Sequence, residues 1–66
     1  MTLLKQRRET SGMTQYTLST ILLVQQTSIS RWESGRVYPI AVYRRAIARA
    51  LGGTADDYAR PKPAKL

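Results

Sequence analysis

The sequence has no cysteine and no histidine, and acidic residues number four among 66. Without cysteine, neither a disulfide nor a thiolate-bound metal can stabilise the chain. Most catalytic sites use histidine, cysteine or clustered carboxylates for proton transfer, metal binding or nucleophilic attack. Because these residue types are missing or scarce, an enzyme is the least expected class of protein, and no cofactor is expected.

Long apolar segments are also missing. Ile21 to Val24 is a typical apolar run of this chain, and it is far too short to cross a bilayer, which takes about 20 residues. No signal-peptide hydrophobic region follows Met1. The chain is therefore expected to be cytoplasmic, without a membrane partner.

Positive charge is plentiful. Eleven Lys and Arg residues stand against four Asp and Glu, which gives a formal net charge of +7. Such a balance indicates affinity for polyanions, with nucleic acid the first choice and an anionic membrane surface the second. Most of the cations are Arg, which suits bidentate contacts to phosphate and guanine. Composition alone leaves open a merely basic surface.

The length and the turn signals predict one small all-α domain of four to five helices. A chain below about 70 to 80 residues buries little core and relies on a tight bundle or a partner. We predict a domain over residues 1–59 and a basic, flexible tail over residues 60–66. The predicted helices are Thr2-capped to about Ser11, Gln15 to about Leu22, Gln26 to Ser34, Pro39 to Leu51, and a short turn from Ala55 to about Ala59 with Thr54 and Asp57 as a capping box.

The third predicted helix has two different faces. At about 100° per residue, Ile29 and Trp32 share one side. The other side has no carboxylate, although a solvated helix face usually mixes both signs of charge. Amides, hydroxyls and Arg can all read base edges in the DNA major groove. This face consists of Gln26, Thr27, Ser30, Arg31 and Ser34.

Two stretches of the chain carry a family resemblance: Met13-Thr14-Gln15, and Ile29-Ser30-Arg31-Trp32-Glu33-Ser34-Gly35, with Leu18, Leu22 and Val24 between them. They resemble the helix-turn-helix proteins of the lambda repressor and Cro type, also called Xre-type. The similarity runs from about Leu4 to Tyr58. It implies a five-helix, lambda-repressor-like DNA-binding domain whose second and third helices form the motif. It also implies a homodimer on a pseudo-palindromic site in double-stranded DNA.

The resemblance assigns roles to individual residues. By this likeness Gln15 and Arg36 contact phosphate, where such contacts supply affinity rather than sequence information. The groove-facing, base-reading residues that it implies are Gln25, Gln26, Thr27, Ser30 and Arg31.

Arg8 and Glu33 are predicted to form a partly buried salt bridge. Arg8 lies one turn beyond Leu4, on the face of the first helix that should turn inward, and a buried cation needs an acidic partner. Glu33 lies beside Ile29 and Trp32, and members of the family pair these two positions. The bridge would hold the first helix against the third.

The sequence departs from the family pattern at the turn between the second and third helices. Leu23 stands where the family most often has Gly. A left-handed leucine would cost about 1 kcal/mol or more, so we expect this turn to be built slightly differently. Gln25 replaces the usual Ser or Thr cap. Two outcomes stay open for Ile21 and Leu23: partial exposure near Tyr16, which would attract a partner, or contacts with the core, which are commoner for apolar residues. In the fourth helix, Arg44 and Arg45 replace leucines of many relatives and extend a basic strip with Arg49.

The function that follows is a sequence-specific DNA-binding regulator, a Cro-like repressor of phage or bacterial type. Two alternatives keep the fold. One is the antitoxin of a toxin–antitoxin pair, with a small protein partner on the exposed apolar residues or the tail. The other is a protein-interaction module, such as an anti-repressor, that no longer binds DNA. A basic peptide on a membrane surface is the weakest alternative, because the cations are spread over several helices.

Overall fold

The computed structural model describes residues 2–60, and the predicted tail apart from Arg60 lies outside them. All regular structure in this part of the chain is helical, as predicted. Within these residues no helix is long and apolar enough to cross a membrane. The elements are α1 (Leu3–Thr10), α2 (Gln15–Leu22), α3 (Gln26–Ser34), α4 (Ala41–Leu51) and a 3₁₀ helix (Ala55–Tyr58).

Local side chains explain where most of these elements begin. The Thr2 hydroxyl accepts a hydrogen bond from the Lys5 backbone N–H at 3.3 Å, and the Thr14 hydroxyl accepts one from Thr17 at 3.0 Å. Each contact satisfies a backbone donor that lacks a partner in the first turn of a helix. Thr54 and Asp57 form the predicted capping box of the 3₁₀ helix. The bounds of α2 and α3 agree with the prediction.

The start of α4 was predicted wrongly. Pro39 does not open the helix, which begins at Ala41 with the extended residue Ile40 as its N-cap. The Ile40 carbonyl accepts the first helical bonds, from the N–H of Arg44 at 2.9 Å and of Tyr43 at 3.0 Å. Pro39 is buried before the cap, and its carbonyl accepts a bond from the Arg44 guanidinium at 2.7 Å. The Tyr43 N–H bonds to the Ile40 carbonyl and not to that of Pro39, so Pro39 belongs to the loop before the helix.

The turn between α2 and α3 is left-handed at Leu23. This leucine has φ 58° and ψ 41°, and it is the one non-glycine residue with positive φ in the described chain. The Leu23 N–H bonds to the Thr20 carbonyl at 3.3 Å, and the Val24 N–H to the Ser19 carbonyl at 3.0 Å. This pair of bonds is a Schellman motif, which satisfies carbonyls at the end of a helix. The expectation of a differently built turn is therefore wrong: Leu23 itself takes the left-handed conformation, at the backbone cost that a leucine has there.

The core lies where α2, α3 and α4 meet. Leu18, Ile29 and Ile47 are fully buried, one from each of these helices. The rings of Trp32 and Tyr43 join α3 to α4, with their centroids 5.5 Å apart. The remaining buried apolar residues close the core from α1, α2 and the 3₁₀ helix: Leu4, Leu22 and Tyr58. A core drawn from every element fixes the orientation of α3, and therefore which of its faces meets solvent.

Candidate nucleic-acid interface

The outer face of α3 is exposed and free of acids. Ile29 and Trp32 are buried against the core, as the spacing predicted. Glu33, the single acid of α3, is also buried, on the inner side. Polar and cationic side chains therefore cover the outer surface of α3 without a carboxylate: Gln26, Thr27, Ser30, Arg31 and Ser34 are exposed.

The N-terminal end of α3 is open. Its N-cap residue, Gln25, is extended and makes no side-chain cap, as its departure from Ser or Thr predicted. The Gln25 amide oxygen instead accepts a long bond from the Thr27 hydroxyl at 3.5 Å. Backbone N–H groups without a cap carry the positive end of the helix dipole, which attracts anions such as phosphate. The open end therefore adds positive potential to the acid-free face.

Arg8 and Glu33 lie in contact beneath this face. The Arg8 Nε donates to Glu33 Oε2 at 2.5 Å, and Arg8 Nη2 donates to Oε1 at 3.2 Å. The hydrogen bond to Glu33 raises the pKa of Arg8, with burial acting in the opposite direction. A third donor, Arg8 Nη1, reaches the Met13 carbonyl at 2.7 Å. The pair thus joins α1 to α3 and to the loop before α2.

Gln15 is attached to the same carboxylate. It is the first residue of α2, and its Nε2 donates to Glu33 Oε1 at 3.0 Å. This contact was missed by sequence reasoning, which treated Gln15 and Glu33 separately. No sequence signal joins them, because their approach depends on how α2 packs against α3.

Arg36 lies just beyond α3. The helix ends at Gly35, which has φ 78°, a left-handed value that glycine adopts without strain. The Arg36 backbone N–H bonds to the Ser34 hydroxyl at 3.4 Å, and its side chain is exposed. The turn therefore leaves this cation in solvent next to the C-terminal end of the acid-free face.

A second polar cluster, which sequence reasoning also missed, ties α1 to the end of α4. The two hydrogens of Arg7 Nη1 are shared among three acceptors: the Gly52 carbonyl at 3.2 Å, Asp57 Oδ2 at 3.0 Å and the Tyr58 hydroxyl at 3.0 Å. The Tyr58 hydroxyl in turn donates to the Gly52 carbonyl at 2.6 Å. The pKa of Asp57 is lowered first by the Thr54 backbone N–H and then by Arg7. All contacts of this cluster join parts of the chain to one another, so we assign it a structural role.

Large apolar side chains are exposed at two places. Tyr16, Ile21 and Leu23 lie on α2 and the turn after it, and Leu23 is 89% exposed. Of the two outcomes left open for Ile21 and Leu23, the structure shows exposure. Sequence reasoning did not anticipate the second group, Val37, Ile40 and Val42, before and within the first turn of α4.

Two short helices joined by a tight left-handed turn, the second presenting an acid-free face beside cations, define a helix-turn-helix protein. A family model described as helix-turn-helix, of the lambda repressor and Cro type, matches residues 4–58. The chain belongs to this family, whose members are DNA-binding regulators. No curated protein and no solved structure gives a significant match to the chain.

Proposed function

We propose that the protein is a sequence-specific repressor that binds double-stranded DNA as a homodimer, without catalysing a reaction. The observation that carries the proposal is the exposed, acid-free outer face of α3. In a protein with a formal charge of +7, this face combines hydrogen-bonding side chains with Arg31 and excludes the one acid of its helix. Such a surface suits the floor of the DNA major groove, which admits one α-helix.

The base-reading residues of the proposal are the exposed ones at the start and middle of α3. Gln side chains pair with adenine through N6 and N7, and Arg pairs with guanine through O6 and N7. Thr and Ser hydroxyls donate to or accept from either base. The set is Gln25, Gln26, Thr27, Ser30 and Arg31.

Phosphate contacts are assigned to the two ends of the motif. Gln15 begins α2, where backbone N–H groups and the helix dipole favour an anion. Arg36 extends from the turn after α3. These contacts would position α3 in the groove without reading sequence.

The small reading surface of one copy supports a homodimer. A single recognition helix contacts a few base pairs, and helix-turn-helix proteins gain specificity by placing two helices in successive major grooves. The two half-sites would then lie about 10 base pairs apart, centre to centre, related by a two-fold axis.

Selection from random duplex DNA, followed by affinity measurements against salt concentration, tests the proposal. We expect a palindromic site bound at least about 1,000-fold more tightly than random DNA. Uniform binding that falls steeply with salt would instead describe a basic domain attracted to phosphate alone. That outcome would overturn the proposal of sequence-specific repression.

Two substitutions separate base reading from phosphate binding. Gln26→Ala should cost about 1–3 kcal/mol on the selected site and little on random DNA. Arg36→Ala should weaken binding to both DNAs alike and lower the salt slope by about one unit. Arg49→Ala is a charge-matched control, since Arg49 is an exposed cation in the last turn of α4. If Arg49→Ala equals Arg36→Ala in both measurements, Arg36 acts through net charge alone.

The exposed apolar residues of α2 and its turn support a second candidate, an antitoxin with the same fold. Leu23 is 89% exposed and left-handed, so it adds no packing to the fold while straining the backbone. A protein partner covering Ile21 and Leu23 would account for both features. Purification from the native host with a second small protein, lost on Leu23→Ser, would favour the antitoxin; a solitary dimer would favour the repressor.

A further inference from the structure

The buried carboxylate of Glu33 accepts hydrogen bonds from two residues, Arg8 and Gln15. Arg8 alone reaches both oxygens, through Nε to Oε2 at 2.5 Å and through Nη2 to Oε1 at 3.2 Å. Gln15 Nε2 adds a third bond, to Oε1 at 3.0 Å. With a side chain 3% exposed, Glu33 is held firmly, so the amide bonded to it is held as well.

Gln15 begins α2, and its amide nitrogen carries a second hydrogen beside the one donated to Glu33. A glutamine amide nitrogen has two hydrogens set about 120° apart, so one donated to Glu33 directs the other elsewhere. Gln15 is the first residue of α2 and is half-buried, so part of this residue meets solvent at the helix N-terminus. Thr14 caps the N–H of Thr17 and leaves the Gln15 and Tyr16 N–H groups without that cap. A second amide hydrogen directed toward solvent would join these donors at an end that favours anions.

From this geometry we infer that Glu33 is a positioning residue for DNA binding: it holds the Gln15 amide so that its second N–H donates to a DNA phosphate. The inference rests on the proposed function and deepens it. Side chains ordered before binding lose less entropy when the complex forms. One buried carboxylate thus serves the fold through Arg8 and the interface through Gln15.

A double-mutant cycle tests the inference. Arg8→Met with Glu33→Met replaces the ion pair by apolar side chains, an exchange that folded proteins often tolerate, and it removes the acceptor for Gln15. Arg8→Met with Glu33→Gln is the matched control, because its amide oxygen keeps an acceptor at the same place. Each of these backgrounds and the wild type is prepared with Gln15 and with Gln15→Ala. Affinity for random-sequence duplex DNA is then measured at one salt concentration.

We expect Gln15→Ala to weaken binding about tenfold in the wild type and in the control background, the size of one hydrogen bond to a charged group. In the Arg8→Met, Glu33→Met background the same change should weaken binding less than about twofold, because the amide is no longer held. Equal factors in all three backgrounds would overturn the inference, as would no effect of Gln15→Ala in a wild type that binds DNA. If Glu33 had a purely structural role, its substitutions would change the melting temperature but not the factor by which Gln15→Ala weakens DNA binding.

Nuclear magnetic resonance of the wild type tests the same point without altering the buried pair. Gln26 is the matched control, since it also begins a helix but is exposed. Before DNA is added, we expect the Gln15 side-chain amide to be rigid and that of Gln26 to be mobile. Equal mobility would overturn the positioning of Gln15. Because this measurement uses no DNA, it distinguishes failure of the inference from failure of the proposed function, which the absence of DNA binding would show.

Discussion

Two neighbouring arginines of α1 form ion pairs in opposite environments. Arg8 meets Glu33 at 2.5 Å with side chains 9% and 3% exposed. Arg7 meets Asp57 at 3.0 Å with side chains 33% and 35% exposed. One pair fastens α1 to α3 inside the fold, and the other fastens α1 to the 3₁₀ helix at the surface.

The two ion pairs differ in whether water can solvate one side chain after its partner is removed. At the surface, water solvates either partner when the other is removed, so an exposed pair contributes little to stability. In the interior no water replaces the lost partner, and the orphaned charge keeps its full desolvation cost. Within residues 2–60 no buried side-chain N or O atom lacks a hydrogen-bond partner, so the cost of the inner pair is offset by contacts. Similar chemistry at adjacent positions therefore has unequal consequences.

The largest expected effect comes from orphaning the inner arginine. Glu33→Gln should lower the free energy of unfolding by about 3–5 kcal/mol, because Arg8 would keep a buried charge without its counterion. Urea denaturation measures the loss. The control is Glu9→Gln, since Glu9 is 49% exposed and lies 4.0 Å from the same arginine. That control should stay within about 0.5 kcal/mol, and a loss that small for Glu33→Gln would contradict the buried-pair account.

A smaller effect is expected from displacing the outer arginine. Gly53 has φ +83°, and a Cβ there would overlap Arg7 Nη1 and Asp57 Oδ2. Gly53→Ala should cost about 1–2 kcal/mol through left-handed backbone strain, together with a small loss from the displaced side chains. Gly12→Ala is matched to it, with φ +74° and nothing within 4 Å of the added carbon.

Thermal denaturation of the two alanine variants separates strain from contact. We expect Gly53→Ala to unfold at a slightly lower temperature than Gly12→Ala. If the two alanine variants differ by as much as Glu33→Gln differs from the wild type, the outer ion pair contributes as much stability as the inner one, contrary to this prediction.

The outer pair should also respond to acid. The folded-state pKa of Asp57 lies below its ordinary 3.8, because the Thr54 N–H and Arg7 bind the ionised form. Its stabilisation is therefore complete above the unfolded pKa and is lost as the pH falls through the folded value. Stability measured from pH 7 downward should differ slightly between the wild type and Asp57→Asn, and the two curves should converge in strong acid. Curves that stay parallel would mean that the charge of Asp57 is not what stabilises the cluster.

The smallest change is expected at Leu23, where neither packing nor charge is at stake. Leu23→Gly relieves left-handed strain of about 1–2 kcal/mol. Glycine also raises the conformational entropy of the unfolded chain, which lowers stability by about 0.5–1 kcal/mol. The variant should therefore be as stable as the wild type or more stable by up to about 1.5 kcal/mol. Calorimetry distinguishes this from a loss of about 2 kcal/mol or more, which would mean that Leu23 packs as a core leucine.

Much of the fold was predictable because its signals are local. Thr14 and Gly35 mark helix ends through their own hydrogen bonding and backbone freedom, so α2 and α3 were bounded correctly. The buried side of α3 followed from the spacing of Ile29 and Trp32. The same spacing predicted which side of α3 is exposed. The contact of that side with DNA stays a prediction. The start of α4 was missed because a proline fits both the first turn of a helix and the loop before it.

The sequence by itself determined an all-helical fold, its family and which side of α3 meets solvent, since helix periodicity and capping operate within a few residues. The tertiary structure decided which residues far apart in the sequence form these hydrogen bonds and ion pairs. Gln15 reaches Glu33 across 18 positions of the chain, and Arg7 reaches Asp57 across 50. Hydrogen bonds demand distances near 3 Å, and the packing of several helices sets those distances together. For this reason the partners of Gln15 and Arg7 emerge from the assembled core and from no segment alone.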